Sequence, residues 1–330
     1  MGPKSVRWPV RSSTREFFKL HGWKNFAHFL HGYYYLSHLD QYIKLLLPAL
    51  RAATKWLPAQ RLAALRSIVA YVPDRYHGKI TTLEDAKKIV LLQQDIVLDE
   101  KTSARVVPYE IANRMVIRSP GSITLMDCAC KLEKREKACG PLDVCLIIGE
   151  PYASFALEHA KALHPRKVTQ QEAVRVLEMC HKKGWVQNAI FKDAMGGQFF
   201  AICNCCKCCC GGLEVERALR SLPLDPPIKL EAPSGHLAVI DPEKCESCGA
   251  CVSRCPMGAI SLEGDGPAVV RNDHCMGCGV CPDICPKKAI VLKRDPARGI
   301  PLDVRELLAG DRPPTKGTRH GKKSRAAVHP

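Results

Sequence analysis

The chain has 330 residues, 46% hydrophobic and 25% charged, with a formal net charge of +16 and 19 cysteines. Those proportions exclude a disordered or membrane-spanning chain and leave room for more than one domain with its own core. So many cysteines at this length, after an opening MGPKSVRWPVRSSTREF that lacks an apolar signal core, point to metal ligands before disulfides and to a cytoplasmic protein.

Residues 1–80 read as a basic, aromatic-rich helical region, with thirteen Lys and Arg against three acids and thirteen of the chain's twenty aromatic residues. Ser13-Thr14-Arg15-Glu16 has the form of a capping box, with Gly22 as the stop. Leu36, Leu39, Ile43, Leu46, Leu47 and Leu50 recur at helical spacing, and Pro48 is expected to kink or divide that element. Pro58 is expected to open a further helix carrying Leu62, Leu65, Ile68 and Val69. The apolar run over 42–57 is broken by Lys44, Pro48, Arg51 and Lys55 and does not span a bilayer. A basic, aromatic helical region suits docking on a redox partner or peripheral contact with the inner face of the membrane. The alternative is that its aromatics are simply core.

Residues 81–212 read as a cysteine-rich α+β domain. Thr81-Thr82-Leu83-Glu84 is expected to cap a helix ending near Leu98, and Pro108 to start another running to Ile117. A strand over 122–126 leads into Asp127-Cys128-Ala129-Cys130. Thr169-Gln170-Gln171-Glu172 is a capping box for a helix with Ala173, Val176, Leu177 and Cys180 on its apolar stripe, closed by Gly184. Cys180 is then a core residue, and His181 a helix-end histidine favoured by the dipole. WVQNAIF and QFFAIC read as a hairpin turned at 194–197. Helix followed by hairpin is the outline of a winged helix. Its polar face of Gln170, Gln171, Glu172, Arg175 and Glu178 is not a basic reading surface, which argues against nucleic acid.

The second hairpin strand runs into CNCCKCCC, six thiols in eight residues: Cys203, Cys205, Cys206, Cys208, Cys209 and Cys210. Adjacent side chains of a strand point to opposite faces, so Cys205 and Cys206 do not grip one metal from a strand; either the backbone curls or the thiols divide between two sites. Cys203 and Cys205 point the same way, as do Cys128 and Cys130, and together these four would make a four-thiolate site. Cys139, Cys145 and Cys208 to Cys210 would make another. An additional Fe–S cluster, structural zinc and a dithiol relay all fit such a set.

Residues 213–236 read as a linker, with four prolines and a glycine. The segment 237–294 then carries Cys245, Cys248, Cys251 and Cys255-Pro256 as C-x2-C-x2-C-x3-C-P, and repeats it with Cys275, Cys278, Cys281 and Cys285-Pro286. Its flanks repeat too, Gly258-Ala259-Ile260-Ser261-Leu262 against Lys288-Ala289-Ile290-Val291-Leu292, with a hairpin turn expected over 262–266. The tail over 295–330 is basic and expected to be disordered.

Over 237–293 the chain resembles bacterial two-cluster ferredoxins. The resemblance implies a ferredoxin-like module with two [4Fe-4S] clusters, one held by Cys245, Cys248, Cys251 and Cys285, the other by Cys275, Cys278, Cys281 and Cys255. Gly249 and Gly279 would let backbone N–H groups approach the cluster sulfides. Two such clusters would lower the net charge by about four. The wider pattern DCACK, KACGPLDVCL, VTQQEAVRVLEMCHKKGWV and AICNCCKCCC is similar to a segment of iron–sulfur proteins of anaerobic bacteria and archaea that also precedes a two-cluster module. What this implies is an electron carrier passing low-potential electrons to or from an oxidoreductase. The alternatives are an oxidoreductase whose cysteine-rich metal site is fed by that module, and a redox-sensing regulator.

Overall fold

The structure, a computed structural model, describes residues 11–56, 71, 74–222 and 228–310. In chain order the elements are α1 (Ser12–His21), α2 (Phe26–Ser37), α3 (Leu39–Trp56), β1 (Tyr76–Thr81), α4 (Leu83–Val90), β2 (Ile96–Val97), α5 (Glu100–Val106), β3 (Val116–Asp127), α6 (Ala129–Lys134), β4 (Asp143–Glu150), α7 (Tyr152–His159), β5 (Arg166–Val168), α8 (Gln170–Lys182), β6 (Val186–Lys192), β7 (Gln198–Cys205), α9 (Gly211–Arg220) and β8 (Glu231–Ala232). The carboxy-terminal part adds β9 (His236–Ile240), α10 (Ala250–Arg254), β10 (Ile260–Ser261), β11 (Val269–Val270), α11 (Val280–Ile284), β12 (Ile290–Arg294) and α12 (Val304–Gly310). The fold is α+β. Among the described residues no helix is long and apolar enough to cross a membrane.

An eight-stranded sheet organises the chain in the order β2-β3-β4-β7-β6-β1-β8, with β5 also on β3. Its pairings are antiparallel except β1 with β8. One face is covered by a core that includes Ile89 of α4, Leu177 of α8 and Val304 of α12. The other is covered by Phe17, Phe29 and Leu36 of α1 and α2 with Phe155 of α7. Both faces being covered, β6 is buried at every residue, and its sequence carries no polar alternation. Local caps agree with the fold: Thr82 accepts from Asp85 N at 3.1 Å, and Thr169 from Glu172 N at 3.1 Å.

Several expectations change. β6 and β7 do form a hairpin after α8, turned through a short 3-10 segment and Gly196 and Gly197, but they are the centre of the sheet, flanked by β1 and β4, and offer no free wing. The helix expected to reach Leu98 ends at Val90, because Ile96 pairs with Ile117 in the sheet. No helix forms over 108–117: Ala112 N donates to Asp74 O and Arg114 N to Gly197 O, so that backbone is satisfied by other segments. α3 continues through Pro48 undivided. The amino-terminal helices are not a body apart, since Phe17, Phe29 and Tyr35 are core while Trp23 is 79% exposed. Part of the expected linker is α9, pinned by Glu216, whose Oε2 accepts from Leu230 N at 2.6 Å. Part of the expected tail is ordered too, with Leu302, Val304 and Leu307 buried and Lys88 Nζ 2.6 Å from Asp303 Oδ2. The helix expected after Pro58, the segment 223–227 and residues 311–330 lie outside the described residues.

Candidate metal centres

The two C-x2-C-x2-C-x3-C runs fold as repeats of one local structure. Gly249 and Gly279 cap α10 and α11 with φ of 71° and 84°, a left-handed turn that a side chain would strain. Each turn swings its run around a small cavity. One cavity is lined by Cys245, Cys248, Cys251 and Cys285, the other by Cys275, Cys278, Cys281 and Cys255. The fourth cysteine of each run therefore faces the cavity of the other run. Backbone amides are aimed at the thiols in matching fashion, Ala259 N at Cys255 Sγ (3.2 Å) and Ala289 N at Cys285 Sγ (3.3 Å). Such N–H donors stabilise thiolate sulfur and tune the metal it holds. Burial pushes the Cys278 thiol up to about 12, so metal entry there must displace a proton.

The ten remaining candidates fall into two groups on opposite sides of the sheet's end. Cys139, Cys206, Cys208 and Cys209 have all four sulfurs within 4.8 Å of one another. Cys139 lies 3.3 Å from Cys208 and 3.7 Å from Cys209, and Cys208 lies 3.5 Å from Cys209. A single tetrahedral ion with Zn–S bonds of about 2.3 Å sets sulfur–sulfur edges of about 3.8 Å, close to this spacing. Lys131, fully buried, donates to Cys139 O at 2.6 Å and Cys139 Sγ at 3.1 Å and lies 3.6 Å over the Trp185 ring. Burial would raise the Cys139 thiol, but the hydrogen bond from Lys131 and those from Cys208 and Cys206 outweigh it and bring it down to about 7. A four-thiolate divalent site carries two net negative charges, and the buried ammonium offsets one of them. The donor set fits one ion.

Cys128, Cys130, Cys145, Cys203, Cys205 and Cys210 surround a second cavity of about 40 Å³, which Cys206 also borders. Sheet order assembles it. Cys145 of β4 is paired with Cys203 of β7, their sulfurs 3.6 Å apart, and β3 delivers Cys128 at its end. Thus Cys128, Cys130, Cys203 and Cys205 do come together, while Cys145 and Cys210 join them and Cys206 leaves for the other group. The hydrogen bond to Cys145 and burial hold the Cys203 thiol well above its ordinary range, and that to Cys130 together with burial does the same for Cys128. Thiols raised in this way give up their protons only to several units of metal charge, which fits a group with more than one metal ion. Asn188 lines this cavity, and its buried Oδ1 has no hydrogen-bond partner among the described residues.

Glu231 also lines the six-thiol cavity, and sequence reading missed it. Its Oε2 accepts from Asn188 Nδ2 at 2.8 Å, and Gly78, lacking a Cβ, leaves room for both side chains. Burial first, then the nearby Glu216 charge, raises the Glu231 carboxyl to about 8. A raised carboxyl binds its proton more tightly when folded, so its contribution to stability is present at low pH and lost as pH climbs from about 4.5 through 8. Glu231→Gln is therefore expected to match the parent at pH 5 and to exceed it at pH 9 by a few kcal/mol, on the order of the linkage for such a shift. Chemical denaturation at both pH values checks this. Equal stabilities at pH 9 would mean that the carboxyl is not held protonated.

Three cavities lie in a row on one sheet face. Along β1, Ile80 lines the Cys255/Cys275/Cys278/Cys281 cavity and Tyr76 the six-thiol cavity, four residues apart or about 13 Å. Along β6, Val186 lines the first, and Asn188 and Ile190 line the second. Cys205 is the cross-strand partner of Val186 and belongs to the same apolar core as Cys275 and Cys281. Tyr76 continues into a third, larger cavity. Cys180 is core, fully buried against α4 and β3 residues. His181 does sit in the last turn of α8, and it is buried, with Nδ1 3.0 Å from Gln187 Oε1 and Nε2 2.7 Å from Asp283 Oδ2, clamping α8 to α11.

A family model described as a 4Fe-4S dicluster domain matches residues 237–286. No curated protein and no solved structure matches the chain. The matched segment contains all eight cysteines of the two runs and ends one residue past Cys285, the last of them. It supports an iron–sulfur electron-transfer role for this part of the chain.

Proposed function

We propose that this protein is an iron–sulfur electron-transfer protein that delivers low-potential electrons into its own ten-cysteine domain. Cys245, Cys248, Cys251 and Cys285 would hold one [4Fe-4S] cluster and Cys275, Cys278, Cys281 and Cys255 the other, and these groups supply one-electron storage and exchange when bound. The observation that carries the reading is the alignment along β1 and β6, where Ile80 and Val186 line the second four-thiol cavity and Tyr76, Asn188 and Ile190 of the same strands line the six-thiol cavity. Cys248 is the exposed member of the eight, so an oxidoreductase partner would approach on that side. The four-thiol group beside Lys131 would hold one structural ion, and the six-thiol group an additional polynuclear iron site.

Metal analysis of the anaerobically purified chain tests this. The expected result is about eight irons with matching sulfide for the dicluster domain, further iron for the six thiols, and one further ion for the four-thiol group. Eight irons and no other metal would make the ten cysteines a thiol relay and sink the assignment of both upstream sites. An oxidoreductase reading is favoured by one specific observation, the large cavity that opens onto Cys130.

A further inference from the structure

The third cavity on the sheet face holds about 390 Å³, within the range of sites that enclose a small organic molecule. It shares Tyr76, Cys130 and Gly212 with the six-thiol cavity, so its floor is that cavity's wall. Its sides are rings and aliphatic chains from three different helices and the sheet, among them Tyr35, Tyr42, Leu47 and Val215. Lys192 stands on the floor as the cross-strand partner of Tyr76, 4% exposed, with its ammonium 4.9 Å from the Tyr35 ring centre. Arg75 lines the cavity as well. Asp193 is the only acid lining it among the described residues, and its Oδ1 accepts from Ala194 N at 2.6 Å as well as from Lys192 Nζ at 3.5 Å. Two cations against one acid leave the cavity positive, and a buried ammonium has donors to spare after that one long bond. Charge at the floor and apolar walls above it select a molecule with a flat apolar body and an anionic end.

We propose that this cavity is the binding site for a small aromatic carboxylate, held with its anionic end at Lys192 and its rings among Tyr35, Tyr42 and Leu47. The ligand would lie against Cys130, beside the six-thiol site; that this site holds metal rests on the electron-transfer reading, whereas the binding itself does not. The aromatic walls at Tyr35 and Tyr42 lie in the region that sequence reading treated as a helical core or a docking face, whereas Lys192 comes from the central hairpin.

The test is calorimetric titration of the full, anaerobically purified chain with 2-naphthoate, and with 2-naphthylmethylammonium as a cation of similar shape. The expected result is one site for the carboxylate and at least tenfold weaker binding of the cation. Lys192→Met is expected to weaken the carboxylate about tenfold, the effect of losing a charge-assisted hydrogen bond. Because that change is buried, Leu46→Trp at the cavity's edge serves as a second variant, expected to abolish binding, with Leu45→Trp, 70% exposed and not lining the cavity, leaving it unchanged. Equal affinity for carboxylate and cation, or full binding by Leu46→Trp, would overturn the proposal. Absence of binding in a chain with its full metal content removes the pocket and leaves the electron-transfer reading standing. Carboxylate binding in a chain without iron beyond the dicluster domain does the reverse, keeping the pocket and removing its partner.

Discussion

Cys255→Ser and Cys285→Ser are expected to lose about four irons each, and to lose them from opposite ends of the dicluster domain. Cys255 follows Cys245, Cys248 and Cys251 in sequence, but it lines the cavity of Cys275, Cys278 and Cys281, which Ile80 and Val186 of the sheet also line. Cys285 lines the cavity that contains exposed Cys248. The iron remaining in Cys255→Ser should therefore sit at the open site, and that in Cys285→Ser at the enclosed one. Release of the residual iron to a chelator under anaerobic conditions distinguishes them, with Cys255→Ser expected to be stripped faster. The reverse order would show that each run closes on its own cavity.

Phe17→Ala should be the most damaging change outside the metal-binding residues. Phe17 is fully buried, with ring centres of Phe155, Phe29 and Tyr152 at 4.9, 5.8 and 6.1 Å. Removing a buried phenyl ring costs about 3–5 kcal/mol. In a chain of this size that lowers the melting temperature by roughly 5–10 °C. The neighbouring Trp23, 79% exposed, sets the contrast: Trp23→Ala should stay within about 0.5 kcal/mol. Thermal melts of both variants by circular dichroism decide it. Equal shifts would mean that α1 and α2 do not depend on the sheet for their stability.

The features legible in the sequence are those fixed by neighbours along the chain. Three thiols and a proline-marked fourth identify their cofactor by spacing, and Thr82 and Thr169 announce their helices because a cap reaches only to the next turn. The division of the upstream cysteines was half legible. Strand parity separates Cys205 from Cys206, but Cys145 joins Cys203 only because β4 lies beside β7, and the chain does not state that order locally. Cys139 and Cys145 are six residues apart and belong to different groups for the same reason. The segment after Pro108 looked helical because its partners, Asp74 and Gly197, are remote in sequence. The large cavity left no signature at all, being made where α2, α3, β1, β6 and α9 converge.

The peptide bond between Cys205 and Cys206 has a consequence for how the protein matures. One side of it ends β7 facing the six-thiol cavity, and the other begins the turn that gathers Cys206, Cys208 and Cys209. With both groups holding metal as proposed, loading either would freeze dihedral angles that the other also needs, so the first metal to arrive would shorten the search for the second. Assembly should therefore be cooperative, with half-loaded chains scarce at intermediate metal supply. A single insertion between the two residues would uncouple filling of one site from filling of the other while leaving every ligand in place.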